Sequence, residues 1–272
     1  MDLIDALILG IVQGLSEYLP ISSSGHLEIC RQILGLNLEG AEALEFDIAL
    51  HVATVLSTIV ILWKEFVPLC TSVFTLKRDE NFTYACKILL SCIPVGIVGI
   101  CFKDYVEQFF GNGISMVGYC LLVTATLLSF AYYFRNPQRE TTAAAKGHDI
   151  TWLDAFVIGC SQAIAVLPGL SRSGTTIATG LLLGDKRDKI AQFSFFMVII
   201  PILGQAALSI KDLITGEGIS GTIGLLPIAV GFIASFLVGC AACKWMLEIV
   251  KRGKLVWFAI YCAAMGIVCI CW

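Results

Sequence analysis

The stretch that decides the fold runs from Gln13 to His26 and reads QGLSEYLPISSSGH. An apolar arm begins before it at Leu3, and a second apolar arm follows it to about Leu34. Together the arms are too long for one membrane span, and the second is too short for an ordinary span. A polar loop at membrane depth is tolerated only where protein buries it or where it lines a cavity. Residues 3–35 therefore predict a helix–loop–helix hairpin with its polar tip inside the membrane.

A second stretch of the same kind covers residues 152–184 and carries the polar sequence PGLSRSG at residues 168–174. A shift of 149 residues aligns the two stretches without gaps and produces nine identities in 31 positions. The matched residues of the first stretch are Asp5, Ala6, Gly10, Gln13, Ser22, Ser24, Gly25, Leu34 and Gly35. Shared composition does not explain this combination, so we interpret the chain as a tandem repeat.

The composition excludes a water-soluble domain. Of the 272 residues, 57% are hydrophobic and only 14% are charged, whereas soluble domains carry about 25% charged residues. A net charge of −3 leaves no basic surface for nucleic acid. A bilayer core requires roughly 20 apolar residues per helix, and six segments approach that length: 46–63, 84–102, 114–134, 190–210, 222–243 and 255–271. We expect an all-α polytopic membrane protein that forms a single integral membrane domain over residues 1–272.

The number of crossings sets the sense of the repeat. Each half contains one hairpin, which returns to its starting side, and three transmembrane helices. An odd number of crossings inserts the second half upside down, so we predict an inverted-topology repeat. Such repeats place a site near the membrane midplane, between two broken helices. The first repeat covers residues 1–134, a linker follows at 135–151, and the second repeat covers 152–272.

The loop charges orient the chain. Thirteen Lys or Arg residues lie in the loops of one side, at 64–83, 135–151, 185–189 and 244–254. The opposite loops, 103–113 and 211–221, carry only Lys103 and Lys211. The positive-inside rule assigns the basic loops to the cytoplasm. The termini and the mouth of the first hairpin are therefore expected to face outward, and the linker 135–151 is expected to be cytoplasmic.

Ionisable residues at membrane depth are costly and mark candidate functional sites. The first tip holds Glu17 and His26 beside several serines, and Gln13 shares a helix face with Glu17. These side chains suit nucleophilic or acid–base chemistry. The second tip holds a single charge, Arg172, whose planar guanidinium suits phosphate at a helix N-terminus. The predicted phosphate-binding residues are Ser22, Arg172, Ser173, Gly174, Thr175 and Thr176.

Structural explanations remain open for the same residues. Small and hydroxyl side chains are common where membrane helices pack closely. Glu17 and Arg172 are a simple ion pair in that interpretation, and His26 is a buried histidine with satisfied hydrogen bonds. Asp47 and His51 share a face of the first full span, where a supporting role and a purely structural one are equally plausible. His148 lies in the polar linker, where we expect it to be solvated.

At these residues the chain resembles the undecaprenyl-diphosphate phosphatase family, also called the bacitracin-resistance proteins. Residues 13–17 match the family's (E/Q)xxxE element, and the Ser-Ser-x-Gly-His element follows and ends at His26. Residues 168–176 match the PGxSRSxxT element. The likeness covers the whole chain, including its length and hydropathy. Gln13 stands where some members have Glu, so a pair of carboxylate metal ligands is absent here.

The resemblance implies hydrolysis of undecaprenyl diphosphate to the monophosphate at the outer face of a bacterial plasma membrane. This reaction recycles the lipid carrier for cell-wall synthesis and confers resistance to bacitracin. The resemblance also implies a polyprenyl diphosphate as the lipid substrate and a divalent cation, Mg²⁺ or Ca²⁺, near Glu17 and Gln13. The expected catalytic residues are Glu17, His26 and Arg172, with Ser23 beside them.

Two questions stay open at this point. The nucleophile is either His26 or Ser23, with His26 as the base in the second case. A transporter or lipid flippase is the rival function, because inverted repeats with broken helices are also the architecture of many transporters. The type-2 phosphatidic-acid phosphatases also show Ser-Gly-His but require a later Ser-Arg-x5-His, and no His follows Arg172 in this chain.

Overall fold

The computed structural model describes residues 1–36, 41–102, 113–135, 147–215 and 223–272. Within these ranges the chain forms twelve α-helices and no β-strand, which confirms the all-α prediction. The helices are α1 (Leu3–Ser16), α2 (Ser23–Leu34), α3 (Ala41–Ile61), α4 (Trp63–Phe74), α5 (Glu80–Cys101), α6 (Gly113–Phe134), α7 (Trp152–Ile164), α8 (Arg172–Leu183), α9 (Arg187–Met197), α10 (Ile199–Thr215), α11 (Leu225–Lys251) and α12 (Val256–Cys271).

The length and composition of the helices fit a multi-pass membrane protein. Five segments are long and apolar enough to cross a bilayer: Ala43–Ile61, Glu80–Cys101, Gly113–Phe134, Arg187–Ser209 and Leu225–Lys251. Helices α1, α7 and α12 are apolar but shorter. The predicted span 255–271 corresponds to α12, whose 16 residues cover about 24 Å of helix axis.

Several boundaries differ from the sequence-based expectation. The span predicted at 190–210 consists of α9 and α10, which are separated at Val198. Pro201 lies in the first turn of α10, where its missing N–H is not required by the helix. The predicted loop 64–83 contains the additional helix α4. The predicted loops 103–113, 135–151 and 211–221 fall largely outside the described residues.

Both broken stretches form two helices joined by a non-helical turn. Residues 17–22 join α1 to α2, and residues 165–171 join α7 to α8. Each second arm begins with a serine cap that accepts a backbone N–H three residues ahead, at 3.3 Å in α2 and 3.1 Å in α8. Each second arm ends at a left-handed glycine, Gly35 or Gly184. The two tips therefore have the same local construction.

Small residues bring α1 into close contact with α11. A Cβ atom at Gly10 would lie 2.4 Å from the carbonyl oxygen of Gly231, and one at Gly14 would lie 2.8 Å from that of Ser235. Helix α7 packs in the same way against α5, because a Cβ at Gly159 would lie 2.4 Å from the carbonyl oxygen of Ser91. Backbone contact of this kind is typical of membrane helix interfaces, and it positions the first arm of each hairpin.

Candidate active site

The tips of the two hairpins meet through an ion pair. An Nη atom of Arg172 donates to Glu17 Oε1 at 2.9 Å. The Glu17 side chain is only 8% exposed and that of Arg172 is 26% exposed. Removing such a carboxylate from water is costly unless a charge partner and hydrogen bonds accompany it. The structure thus brings together the two charged residues that the sequence places 155 positions apart.

Three further polar groups contact the second carboxylate oxygen of Glu17, Oε2. Ser23 Oγ donates to Glu17 Oε2 at 2.8 Å, and Gln13 Nε2 donates to the same atom at 2.9 Å. His51 Nε2 lies 3.4 Å from this oxygen as well. Glu17 is therefore the centre of the site, and its carboxylate is positioned to take a proton from the Ser23 hydroxyl.

Both ring nitrogens of His26 contact groups other than Glu17 and Ser23. Nδ1 lies 2.8 Å from the carbonyl oxygen of Ser22, which can only accept a hydrogen bond. In a neutral ring Nδ1 therefore carries the proton, and Nε2 accepts from the Tyr261 hydroxyl at 2.7 Å. The two rings are also stacked, with their centroids 5.6 Å apart. The ring of His26 is thus positioned by Tyr261 of α12 and not by the Glu17 carboxylate.

Backbone strain accompanies this arrangement at the start of α2. Ser22 has a φ of 73°, in the left-handed region that residues other than glycine rarely occupy. The turn lets Ser22 Oγ cap α2 through the N–H of Gly25, and it lets Ser23 face Glu17. Strained residues of this kind cluster at functional sites, where the surrounding structure maintains them.

The residues predicted to bind phosphate divide into two groups. Arg172 begins α8 and points to the first tip, and Ser173 Oγ donates to the carbonyl oxygen of Leu19 at 3.2 Å. The remaining residues contact other parts of the protein and not the first tip's carboxylate. The N–H of Gly174 is capped by Ser171, Thr176 Oγ1 contacts Ser194 Oγ at 2.6 Å, and Ser22 caps α2. Thr175 Oγ1 is buried and has no hydrogen-bond partner among the described residues.

Two cavities adjoin the site. The first is lined by polar side chains, among them Glu17 and Arg172, and by the apolar side chains Val55, Phe195, Val198 and Ile202. The second is lined by Ser24, Glu28, Arg31, Asp47, Gly113, Met116, Val117 and Pro168. Both cavities thus include residues of the tips in their lining.

Two site residues were not assigned to the catalytic centre from the sequence. For His51 a signal existed, because it shares a helix face with Asp47. In the structure His51 Nδ1 lies 2.7 Å from the Asp47 carbonyl oxygen, and Asp47 pairs with Arg31. Tyr261 carries no such signal, since it lies in an apolar helix far along the chain from His26.

His148 is exposed, as expected for a residue of the polar linker, and it also contacts two carboxylates. Its side chain is 51% exposed, but Nδ1 lies 3.6 Å from Asp185 Oδ1 and 3.7 Å from Asp154 Oδ2. A parallel β-bridge between His148 and Asp185 brings these residues together. The sequence does not predict the contacts with the two carboxylates, because the bridge joins segments that have no shared periodicity.

Comparison with known proteins assigns the chain to a family. A family model described as bacitracin resistance protein BacA matches residues 6–268. The chain belongs to the BacA family. Undecaprenyl-diphosphatase of Bacteroides fragilis is 56% identical over 270 residues, which cover 99% of this chain and 98% of that protein. The enzyme of the same name from Parabacteroides distasonis is 55% identical over the same length.

More distant members of the BacA family match equally completely. Undecaprenyl-diphosphatase 1 of Bacillus cereus is 35% identical over 267 residues, which cover 96% of this chain and 94% of that protein. The family match over residues 6–268 thus overlaps both hairpins and every predicted span. The resemblance inferred from the two motifs is confirmed at the level of the family.

Proposed function

We propose that this chain hydrolyses undecaprenyl diphosphate to undecaprenyl phosphate and inorganic phosphate. The reaction recycles the lipid carrier for cell-wall synthesis and confers bacitracin resistance. The observation that carries the proposal is the junction of Ser23, Glu17 and Arg172 across the two hairpin tips, in a family whose relatives are named undecaprenyl-diphosphatase.

Arg172 and the start of α8 bind the terminal phosphate in this proposal. The guanidinium is a fork of N–H donors that matches phosphate oxygens. The first N–H groups of a helix have no partner within the helix, and the helix dipole adds positive potential there. Ser171 caps the N–H of Gly174, which leaves the N–H groups of Arg172 and Ser173 to face the anion. Positioning and charge stabilisation of this kind supply most of the catalysis in phosphoryl transfer.

Ser23 is the nucleophile that the geometry favours. Glu17 takes the hydroxyl proton while Ser23 Oγ bonds to the terminal phosphorus. The bond from that phosphorus to the bridging oxygen breaks, and undecaprenyl phosphate leaves with the electron pair. Glu17 passes that proton to the leaving undecaprenyl phosphate and is again a carboxylate. Water then attacks the phosphoserine and gives one proton to Glu17, which returns it to the departing Ser23 oxygen as hydrogen phosphate is released. The contact of 2.8 Å from Ser23 Oγ to Glu17 supports this assignment.

His26 is the competing nucleophile. It would have to release Tyr261 before Nε2 could attack phosphorus, because Tyr261 occupies that lone pair. Trapping the intermediate with labelled substrate separates the two assignments. An acid-stable phosphoserine supports Ser23, whereas an acid-labile, base-stable phosphoamide would assign the step to His26.

The residues around Glu17 fit a divalent cation that the substrate helps to bind. Gln13 Oε1 is buried and has no hydrogen-bond partner among the described residues, and Glu17 adds carboxylate oxygens beside it. Oxygen ligands of this kind, completed by substrate phosphates, are what Mg²⁺ prefers. The bound cation, Mg²⁺ or Ca²⁺, neutralises charge on the diphosphate. In this site Glu17 orients both Ser23 and Arg172, and Gln13 donates to the same carboxylate.

The proposed orientation places the reaction at the outer face of the bacterial plasma membrane. The positive-inside rule supports it, because the basic loops lie opposite the mouth of the first hairpin in the predicted topology. The two hairpins would then enter from opposite sides as an inverted repeat, and their tips would meet near the midplane. The apolar lining of the cavity beside Arg172, which includes Val198 and Ile202, suits the first isoprene units of the tail.

Phosphate release from a polyprenyl diphosphate by the detergent-purified protein tests the function. We expect Arg172→Ala and Ser23→Ala each to lower turnover by about 10³-fold or more, with and without added Mg²⁺ or Ca²⁺. Ser24→Ala is the matched control, since Ser24 Oγ makes only contacts of 3.4 Å to Gly169 N and Ser22 Oγ. Absence of turnover in folded wild-type protein under every cation would refute the proposal and direct the work to lipid transport.

A further inference from the structure

Three metal-ligating side chains meet at the end of the second hairpin that is remote from Glu17. His148, Asp154 and Asp185 each present one ligand atom, and these atoms lie within 4.8 Å of one another. They are the one group of this kind among the residues that the structure describes. The 12 residues of α8, about 18 Å of helix, separate the group from Arg172. It is therefore distinct from the proposed active site.

Backbone contacts hold the three residues in place. The N–H of His148 donates to the carbonyl oxygen of Gly184 at 3.1 Å, and the N–H of Lys186 donates to that of His148 at 2.9 Å. Asp154 lies in the first turn of α7, where its carboxylate accepts the N–H of Thr151 at 2.8 Å. The segment that follows the linker is thus attached to the turn between α8 and α9.

Asp185 supplies the independent evidence for a ligand. Its side chain is 0% exposed, and neither carboxylate oxygen has a hydrogen-bond partner among the described residues. Arg135 donates to the backbone carbonyl of Asp185 at 3.3 Å. A buried carboxylate is costly unless it is paired, hydrogen-bonded or bound to a metal. Its Oδ1 is directed at His148 Nδ1, 3.6 Å away.

The first hairpin shows that the fold does not require an acid at this position. The repeat aligns Asp154 with Asp5 and Gly184 with Gly35, and both glycines cap their helices in the left-handed conformation. The residue that follows Gly35 is Leu36, which packs against apolar side chains. The carboxylate of Asp185 is therefore particular to the second hairpin, where His148 lies beside it.

We propose that His148, Asp154 and Asp185 bind a divalent transition-metal cation of the Zn²⁺ class. His148 Nε2 lies 3.3 Å from the carbonyl oxygen of Leu183, and Nδ1 lies 3.1 Å from that of Asp149. The metal displaces the proton of Nδ1, while Nε2 keeps its proton and donates to Leu183. A second-shell carbonyl of this kind is usual for ligating histidines. An imidazole with two carboxylates suits Zn²⁺ better than Mg²⁺.

The spacing suits such an ion. Bonds of about 2.0–2.2 Å in a tetrahedral site place ligand atoms about 3.4 Å apart. The observed separations of 3.6 and 3.7 Å from His148 Nδ1 need only a small contraction. The carbonyl oxygen of Asp149, 3.1 Å from the same nitrogen, is a further oxygen on that side. The metal clamps the end of the linker to the hairpin that carries Arg172.

The test measures bound metal on the full-length protein in detergent. The protein is stripped with chelator, reloaded with ZnCl₂ and desalted, and Zn²⁺ per chain is then determined by mass spectrometry. Wild type is compared with His148→Ala, Asp185→Asn and the control Asp149→Asn. Asp149 contacts Lys186, and its carboxylate lies outside the group. Comparison by difference removes any contribution from the twelve cysteines.

We expect His148→Ala and Asp185→Asn each to lose one equivalent of Zn²⁺ and Asp149→Asn to keep it. Zn²⁺ should raise the Tm of wild type and of Asp149→Asn but not of the other two variants. His148 is half-exposed, so its variant is expected to fold. Equal Zn²⁺ content in wild type and His148→Ala would overturn the proposal and leave a protonated His148 as the partner of the two carboxylates.

Discussion

Glu17 holds four polar partners around one buried carboxylate, and only one of these, Arg172, carries a permanent charge. This arrangement gives each oxygen a separate role. Oε1 neutralises and orients Arg172, while Oε2 faces the Ser23 hydroxyl. The single carboxylate therefore connects the phosphate-binding tip with the nucleophile, and any residue that positions it is expected to affect turnover.

His51 is the positioning residue for which the structure predicts a measurable effect. Its Nδ1 is 2.7 Å from a carbonyl oxygen and its Nε2 is 3.4 Å from Glu17. Removing a polar partner from a buried charged group costs about 1–3 kcal/mol. We expect His51→Ala to lower kcat by roughly 10- to 100-fold with little change in KM. His51→Gln, which retains an N–H donor, should recover part of the loss in the same steady-state assay. Wild-type kcat in His51→Ala would show that the contact is incidental.

At the scale of single helices, the position of the site depends on backbone-to-backbone packing. Gln13 and Glu17 lie at the end of α1, and α1 reaches that position because Gly10 and Gly14 permit contact with α11. The two serine-capped arms then present their N-termini to one another. Helix packing rather than a long loop thus holds the catalytic groups, in accord with the buried state of both tips.

Gly10→Ala tests this packing. The added methyl would lie 2.4 Å from the carbonyl oxygen of Gly231, so the helices must separate. Overpacking of this kind costs about 1–3 kcal/mol. We expect a lower Tm in detergent and reduced turnover.

Gly96→Ala is the matched control for Gly10→Ala. A Cβ atom added at Gly96 of α5 would have no atom within 4 Å apart from its own neighbours in the helix. It should leave both Tm and turnover near the wild-type values. Equal effects of the two substitutions would contradict the role assigned to the contact between α1 and α11.

For the whole molecule, loop charge predicts that the mouth of the first hairpin faces outward. Both termini should lie outside the cell, and the linker 135–151 should lie inside. A protease-sensitive tag after Trp272 is expected to be cleaved by external protease on intact cells, while the same tag within residues 136–146 is protected until the cells are lysed. Cleavage in the opposite pattern would reverse the orientation and place the hairpin mouth of residues 3–35 on the cytoplasmic side. The control is bacitracin resistance of each tagged protein, which verifies that the tag leaves the enzyme active.

The sequence by itself determined the membrane class, the two broken hairpins and the charged residues at their tips. These features follow from local rules, because an apolar run, a helical period and an intramembrane charge are each legible within a short stretch. Repetition extended the inference to the predicted inverted topology. From the sequence, an ion pair between Glu17 and Arg172 is one of the alternatives, since each is a charged residue at its own tip.

Only the tertiary structure decided which partners these residues take. It places Ser23 and His51 on Glu17, turns His26 toward Tyr261, and joins His148 to two carboxylates. Periodicity relates residues on one helix and carries no information about the rotation of one helix against another. A rotation of part of a turn decides whether Ser23 or His26 faces the carboxylate. Close packing between segments that are distant in the chain sets these rotations, through Gly10 and Gly14 in α1 and through Gly25 of α2 against Val117.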